Sequence, residues 1–270
     1  MRLLPILFVL TSLPSLAIAE DDDLDTRMMR ATVKIMHDDS TATGFLLFAT
    51  NPDQFLLVTA AHVLEKTPGE STTVVFRAQQ SEGSYQKLPT KLAIRQAGMP
   101  LWTKHPTDDV AVIGVTPPAN ADLPRVSVEL LASDDLLRKH KVHPGEALSS
   151  LGYPHRNEAS DAGFPILRRG AIGTFPLIPT AKTRTFYFSG NTFEGDSGGP
   201  VYLTRPSHDP ARPGEVNLIL GLVSGQMFLD EEAKMVYGTT KFRHRLGLAI
   251  IVHASLIRET IDRRSADLKK

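Results

Sequence analysis

The chain has 270 residues, with 30 Lys and Arg balanced by 30 Asp and Glu, 41% hydrophobic residues and no cysteine. Charge balance leaves no net field to draw in nucleic acid or an anionic membrane. The lack of cysteine excludes thiol nucleophiles, thiolate metal sites and disulfide staples.

The first residues, MRLLPILFVLTSLPSLAIAE, carry Arg2, an apolar run from Leu3 to Leu10 and the small-x-small triplet Ala17-Ile18-Ala19. This is the pattern of a secretory signal peptide over residues 1–19, cut after Ala19. Pro5 and Pro14 interrupt an apolar stretch that is too short to span a bilayer. Export without cysteine points to a periplasmic or secreted bacterial protein held together by packing alone. The next segment, EDDDLDTRMMR, has little to bury and is expected to be flexible over residues 20–30.

From Ala31, short β-like runs recur between turn signals: ATVKIM, TGFLLFA, QFLLVTA, TTVVFR, TKLAIR and VAVIGV. The proline-rich stretch Thr116 to Pro124 cannot be a central strand and reads as a linker. Six further runs follow: EALSSLGY, ILRRGAIGTF, TRTFYFS, GPVYL, VNLILGLVS and LGLAIIV. The chain is therefore expected to form two similar β units, over residues 31–120 and 121–251, although no internal sequence repeat supports the division. Ser133 to His140 predicts a short helix capped by Ser133. In residues 252–270, Leu256, Ile257 and Ile261 fall at helical spacing and predict a closing helix packed on the second unit. Gly225 to Arg245 reads as a long loop.

The string FEGDSGGPV, Phe193 to Val201, sets Ser197 among three glycines. A serine hydroxyl is a weak nucleophile that needs an adjacent base, and the base needs a group to orient it. His62, in VTAAHVL, emerges where a strand ends in small residues. Asp109, directly before Val110-Ala111-Val112, is placed to be drawn inward and to accept from the imidazole, whereas Asp108 reads as an exposed neighbour whose substitution does little. His37, His105, His140, His143, His155, His208, His244 and His253 have no such constellation and read as surface residues.

TAAHV, DDVAVI and GDSGGPV, in that order and 47 and 88 residues apart between His62, Asp109 and Ser197, resemble the trypsin-like serine proteases. LGYP at Leu151 to Pro154 and RRGAIG at Arg168 to Gly173 are similar to its bacterial, cysteine-free branch, here without a PDZ module. The resemblance covers roughly Ala31 to Arg263. It implies an all-β fold of two six-stranded antiparallel barrels with the site in the cleft between them, followed by a C-terminal α-helix. Carried over from the template of that family, Ser197 is the nucleophile, His62 the base and Asp109 its orienting acid. The N–H groups of Gly195 and Ser197 would form the oxyanion hole.

The same resemblance assigns Ser224, Gly225 and Gln226 to a segment that lines the primary specificity pocket and pairs with the substrate backbone, with Ser224 bonded to the catalytic acid. Asn191 matches the pocket base, beside Thr192, and a neutral residue there argues against strict Lys or Arg selection. Asp196 matches an acid that in zymogen-activated relatives pairs with a newly released N-terminus. No Ile-Val-Gly-Gly sequence follows Arg27 or Arg30, so its partner must lie elsewhere. No metal or organic cofactor is implied. The expected partner is a protein or peptide substrate, without nucleic acid or, after signal removal, a membrane, and the oligomeric state is left open.

Two alternatives stand beside this reading. GDSGG also satisfies G-x-S-x-G, the nucleophile elbow of α/β-hydrolase esterases, but the strand-rich region before Ser197 does not supply the crossover helices of that fold. A catalytically silent binding protein on the trypsin-like scaffold is the other.

Overall fold

The computed structural model describes residues 23–268 apart from 51–52, 211–212 and 236–237. The signal peptide expected over residues 1–19 lies outside the described residues. Of the segment expected to be flexible, residues 20–22 lie outside the described residues, and the rest is instead helix α1, Leu24–Ala31, capped by Asp23, which accepts the Thr26 N–H at 2.7 Å. Leu24, Met28 and Ala31 follow one another at i, i+4 and i+7 and are buried, so one apolar face docks the helix. A charged composition hid three well-spaced apolar residues. Buried Arg77 donates to the Arg30 and Thr32 carbonyls at 2.7 Å each, closing the helix C-terminus.

Strands β1 (Thr32–His37), β2 (Ser40–Thr50) and β3 (Asp53–Thr59) form an antiparallel meander. Helix α2 (Ala61–Lys66) follows, then β4 (Ser71–Gln79), β5 (Tyr85–Ala93), the small pair β6 (Arg95–Gln96) and β7 (Met99–Pro100), and finally β8 (Thr103–Lys104) and β9 (Ala111–Val115). Apart from β6 and β7 these strands make one seven-stranded sheet in the order β5-β4-β1-β2-β3-β9-β8. Ala42 to Ala49 of β2 are all buried, because both faces of this central strand are covered.

Beyond the irregular stretch Thr116 to Pro124, helix α3 (Asp134–Lys139) is capped as expected by Ser133, which accepts the Leu136 N–H. Strands β10 (Ala147–Gly152), β11 (Ile166–Ile172), β12 (Thr185–Ser189), β13 (Pro200–Pro206), β14 (Glu215–Met235) and β15 (Gly238–His253) close into a six-stranded antiparallel barrel in the order β10-β11-β12-β15-β14-β13. The two-barrel architecture is thus present with a difference in closure. The second half closes, whereas the first remains a seven-stranded sheet ending on the two-residue strand β8.

Two other expectations change. Gly225 to Arg245, read as a loop, continues β14 and β15 as a projecting antiparallel ribbon. Cross-strand pairs of opposite charge, Asp230 with Arg243 and Glu232 with Lys241, and a contact of Glu231 with His244 take the place of an apolar pattern. Helix α4 (Ala254–Asp267) packs on β14 and β15 of the second half as expected, and it also lies against β8 and β9 of the first. Leu256, Ile257 and Ile261 are its buried residues, and one apolar core runs through both halves.

His253, at the N-terminus of α4, is 2% exposed with its ring 4.8 Å from that of Phe186. Burial pushes its pKa down to about 4, with Asp134 acting weakly in the other direction. The imidazole is neutral in the fold, so the unfolded chain takes up the proton first as pH falls. Its contribution to stability is complete above about pH 6.5 and is lost as pH drops toward 4. His253→Phe is therefore predicted to flatten the fall in thermal midpoint between neutral pH and about pH 4.5. Parallel wild-type and variant curves would contradict this.

Candidate active site

β3 ends at Thr59, and the fully buried Ala60 and Ala61 leave room for the chain to turn into α2. His62 therefore sits in the first turn of a short helix just past the strand end. The C-terminal carbonyls of that helix are held by the Arg95 guanidinium, which donates to Leu64 and Thr67 at 2.7 Å each. Arg95 was missed from sequence, where an arginine more than thirty residues from His62 carries no mark of this role.

Asp109 lies between β8 and β9 and faces His62 at both of its oxygens. Oδ1 accepts the His62 main-chain N–H at 2.9 Å, and Oδ2 lies 2.7 Å from His62 Nδ1. Ser224, from β14 of the other half, donates its hydroxyl to the same Oδ2 at 2.6 Å. Burial pushes the Asp109 carboxyl up, but the hydrogen bonds from His62 and Ser224 outweigh it and hold the group below the usual carboxylate range. An ionised Asp109 requires His62 Nδ1 to carry the proton, which leaves Nε2 as the free base.

Ser197 lies on the loop between β12 and β13, and the bonds of that loop determine where its peptides point. The Glu194 carbonyl accepts the His155 N–H at 2.7 Å, and the Asp196 carbonyl accepts the Gly199 N–H at 2.9 Å. Across a planar trans peptide the next N–H points the opposite way, so the Gly195 and Ser197 N–H groups are turned away from these anchors. Phe193, Asp196, Gly198 and Gly199 donate their N–H groups within the protein, whereas those of Gly195 and Ser197 have no partner among the described hydrogen bonds. Gly195 has φ +99°, and a Cβ there would stand 2.2 Å from the Tyr153 carbonyl oxygen. Gly198, at φ +85°, approaches the first half so closely that a Cβ would lie 2.1 Å from Thr59 Oγ1. The Thr43 hydroxyl reaches across to the Gly195 carbonyl at 2.6 Å, and the Thr43 N–H to the Ser197 carbonyl at 2.9 Å.

The partner of Asp196 is Arg168, from β11. Asp196 is fully buried, and its Oδ1 lies 2.6 Å from Arg168 Nη2, an ion pair without hydrogen-bond alignment. Its other oxygen accepts the Phe193 N–H at 2.6 Å, so the carboxylate ties its own loop to the barrel wall. Removing one member of such a buried pair strands the other charge and typically costs about 3–5 kcal/mol.

His62 and Ser197 line one cleft, about 260 Å³ in volume, with Gly195 and Glu194. The rest of its wall comes from the β1–β2 turn and from α2, including His37, Thr41, Lys66 and Pro68. Ser197 makes no hydrogen bond to the His62 ring among the described contacts, and bonds of this kind often tighten only with substrate in place. The residues expected at a specificity pocket are not on this cavity. Asn191 is exposed beside Gly247, Thr192 is buried with its hydroxyl unpartnered, and Gly225 and Gln226 are half-buried on β14. Sequence reasoning missed the β1–β2 turn as a cleft wall, because nothing local marks a turn that folding brings over the site.

Asp108 is not the exposed neighbour expected. Its side chain is 10% exposed and accepts from Arg184 Nε at 3.0 and 2.9 Å, joining the loop before Asp109 to the second barrel. Beside it, buried His105 lies 3.1 Å from Glu259 of α4 and accepts the Asp108 N–H through Nδ1. The Asp108–Arg184 ion pair and the His105–Glu259 contact therefore fasten the acid-bearing loop of one half to the other.

A seven-stranded sheet and a closed barrel joined across a cleft that holds His62, Asp109 and Ser197 define a two-barrel hydrolase scaffold. The chain belongs to the trypsin-like peptidase domain family, whose model matches residues 42–205. Among solved structures it is similar to the inactive form of a serine-to-alanine mutant of Rv3671c from M. tuberculosis H37Rv, with 16% identity, 88% of each chain covered and a TM-score of 0.46. The inactive form of the Rv3671c protease itself is 18% identical over 87% of this chain and 89% of that one, with a TM-score of 0.44. No curated protein matches the chain.

Burial raises the Asp108 pKa, and the hydrogen bonds from Arg184 and Thr107 more than offset this, leaving it lowered. The stabilisation is present above the ordinary carboxylate range, about pH 4, and is lost as pH falls through the lower folded value. Asp108→Asn is predicted to lose about 1–2 kcal/mol at neutral pH. The difference from wild type should shrink in urea titrations near pH 3. A variant as stable as wild type at pH 7 would return Asp108 to the role of a solvated neighbour.

Proposed function

We propose that this chain is an exported serine endopeptidase of bacterial periplasmic or secreted type. The observation that carries the reading is the doubly bonded pair of His62 and Asp109, braced by Ser224 and opening onto the cleft that holds Ser197. Ser197 Oγ attacks the scissile carbonyl while His62 Nε2 takes its proton, and Asp109 supports the imidazolium that forms. The oxygen of the tetrahedral intermediate is received by the Gly195 and Ser197 N–H groups, which the loop leaves unpartnered. His62 returns the proton to the departing amine, and an acyl-enzyme remains on Ser197. Water, deprotonated by the same imidazole, then releases the acyl group and restores the serine.

Antiparallel pairing of the strands in the sheet and in the barrel favours this reading over an esterase elbow, which needs a parallel sheet. The signal-like start of the chain is the reason for placing the enzyme outside the cytoplasm.

A fluorophosphonate probe is predicted to add one adduct to the folded wild-type protein and none to Ser197→Ala or His62→Ala, as read by intact mass. Casein digestion should accompany labelling, and Asp109→Asn should keep the fold while turnover drops by about 10⁴. A folded wild-type protein that neither takes the probe nor cuts casein would favour a binding protein on this scaffold.

A further inference from the structure

β14 leaves its partner β13 at Leu222 and runs on to Met235 paired with β15 alone. From Ser224 onward its other edge is unpaired among the described residues. This edge begins at the site itself, because Ser224 is bonded to Asp109. It also continues into the projecting ribbon as one strand, its register against β15 shifting between Val223 and Gly225 and again between Gln226 and Phe228.

The ribbon is built as a firm extension. Two ion pairs, at 2.7 and 3.0 Å, and a Glu231–His244 contact at 3.1 Å cross it, and the Arg243 guanidinium lies 4.8 Å over the Phe228 ring. Its root is fastened to the loop that carries Ser197. Arg245 lies 4.8 Å over the Phe193 ring, and the Gly247 carbonyl accepts the Gly190 N–H at 3.0 Å.

The side chains divide the open edge into two parts. Ser224 to Leu229 are uncharged, and Asp230, Glu231 and Glu232 follow directly. An unpaired edge with neutral side chains accepts an added strand, whereas charges along an edge oppose one.

We infer that the ribbon prolongs the substrate-binding edge, so that a polypeptide adds to Ser224–Leu229 as an antiparallel strand over about six residues on the N-terminal side of its scissile bond. At about 3.3 Å per residue this contact runs roughly 20 Å from the serine. It rests on the endopeptidase reading and makes the enzyme selective for extended or unfolded segments, since a folded substrate cannot present a free strand of that length.

The test uses a casein-derived peptide that the wild-type enzyme cleaves, truncated stepwise from its N-terminus to leave from about eight to about two residues before the scissile bond. The value of kcat/KM is expected to fall by at least about tenfold as the length drops below about six. A backbone N-methyl group at the fifth residue before the scissile bond, which removes a main-chain donor, should cause a comparable loss with the wild-type enzyme. A variant lacking residues 227–246, with Gln226 joined to Gly247 through an Asn-Gly turn, should cleave the shortest peptide as wild type does and lose the length dependence beyond the residues that Ser224–Gln226 can still pair.

Wild-type kcat/KM that is flat with peptide length, or unaffected by N-methylation, would overturn the inference while leaving the endopeptidase intact. Length dependence that persists without the ribbon would do the same. A wild-type enzyme that cleaves neither casein nor its peptides and takes no fluorophosphonate would remove the endopeptidase reading, and this inference with it.

Discussion

The carboxylate of Asp109 is the point on which the two halves of the molecule must agree. It accepts from the His62 main chain, faces the His62 imidazole and receives the Ser224 hydroxyl, so its partners come from both the sheet and the barrel. A part-buried charge is tolerable only where donors replace the water it has lost. Its depressed pKa shows that they do, and the donors outweigh the burial. A small slip between the halves would remove the Ser224 bond and leave the carboxylate under-satisfied. Much of the surrounding structure resists such a slip: α4 packed on both halves, the Asp108–Arg184 pair, and Thr43 bonded to the carbonyls of Gly195 and Ser197.

The serine loop solves a related problem by fixing carbonyls. Two N–H groups left free at one loop keep their direction only if something else holds their peptides, since an unheld peptide would turn to find an internal partner. Here the carbonyl before each of them is anchored, on His155 and on Gly199, and Asp196 pins the loop base to Arg168. In zymogen-activated relatives an incoming N-terminus is the partner of the equivalent acid. In this chain the carboxylate faces an arginine built into β11. Helix α1 supports the same wall, because Asp25 accepts from Tyr202 at 2.7 Å and from Arg169, the neighbour of Arg168, at 3.0 Å.

The strands were legible because β-branched and aromatic runs alternate with turn signals, and the helix caps at Ser133 and the closing helix followed from local chemistry. The candidate triad was legible because three short motifs stand in order. What the sequence did not reveal depends on distant pairing. Asp108 reads as a turn residue until Arg184, 76 residues away, is brought beside it. The ribbon reads as a loop because its strands are joined by charge pairs rather than by an apolar stripe. Arg168 sits in a recognisable motif, but only the fold shows that one arginine faces inward to Asp196 while Arg169 faces out to Asp25.

The most direct test of the central carboxylate is the proton NMR signal of the His62 Nδ1–H. A short bond to an ionised Asp109 places that proton far downfield of the amide region and protects it from exchange with water. The signal is expected in the wild-type protein, should persist in Ser197→Ala and should vanish in Asp109→Asn. A wild-type spectrum without it across the pH range of the folded protein, or a signal that survives in Asp109→Asn, would contradict the arrangement from which the chemistry is derived.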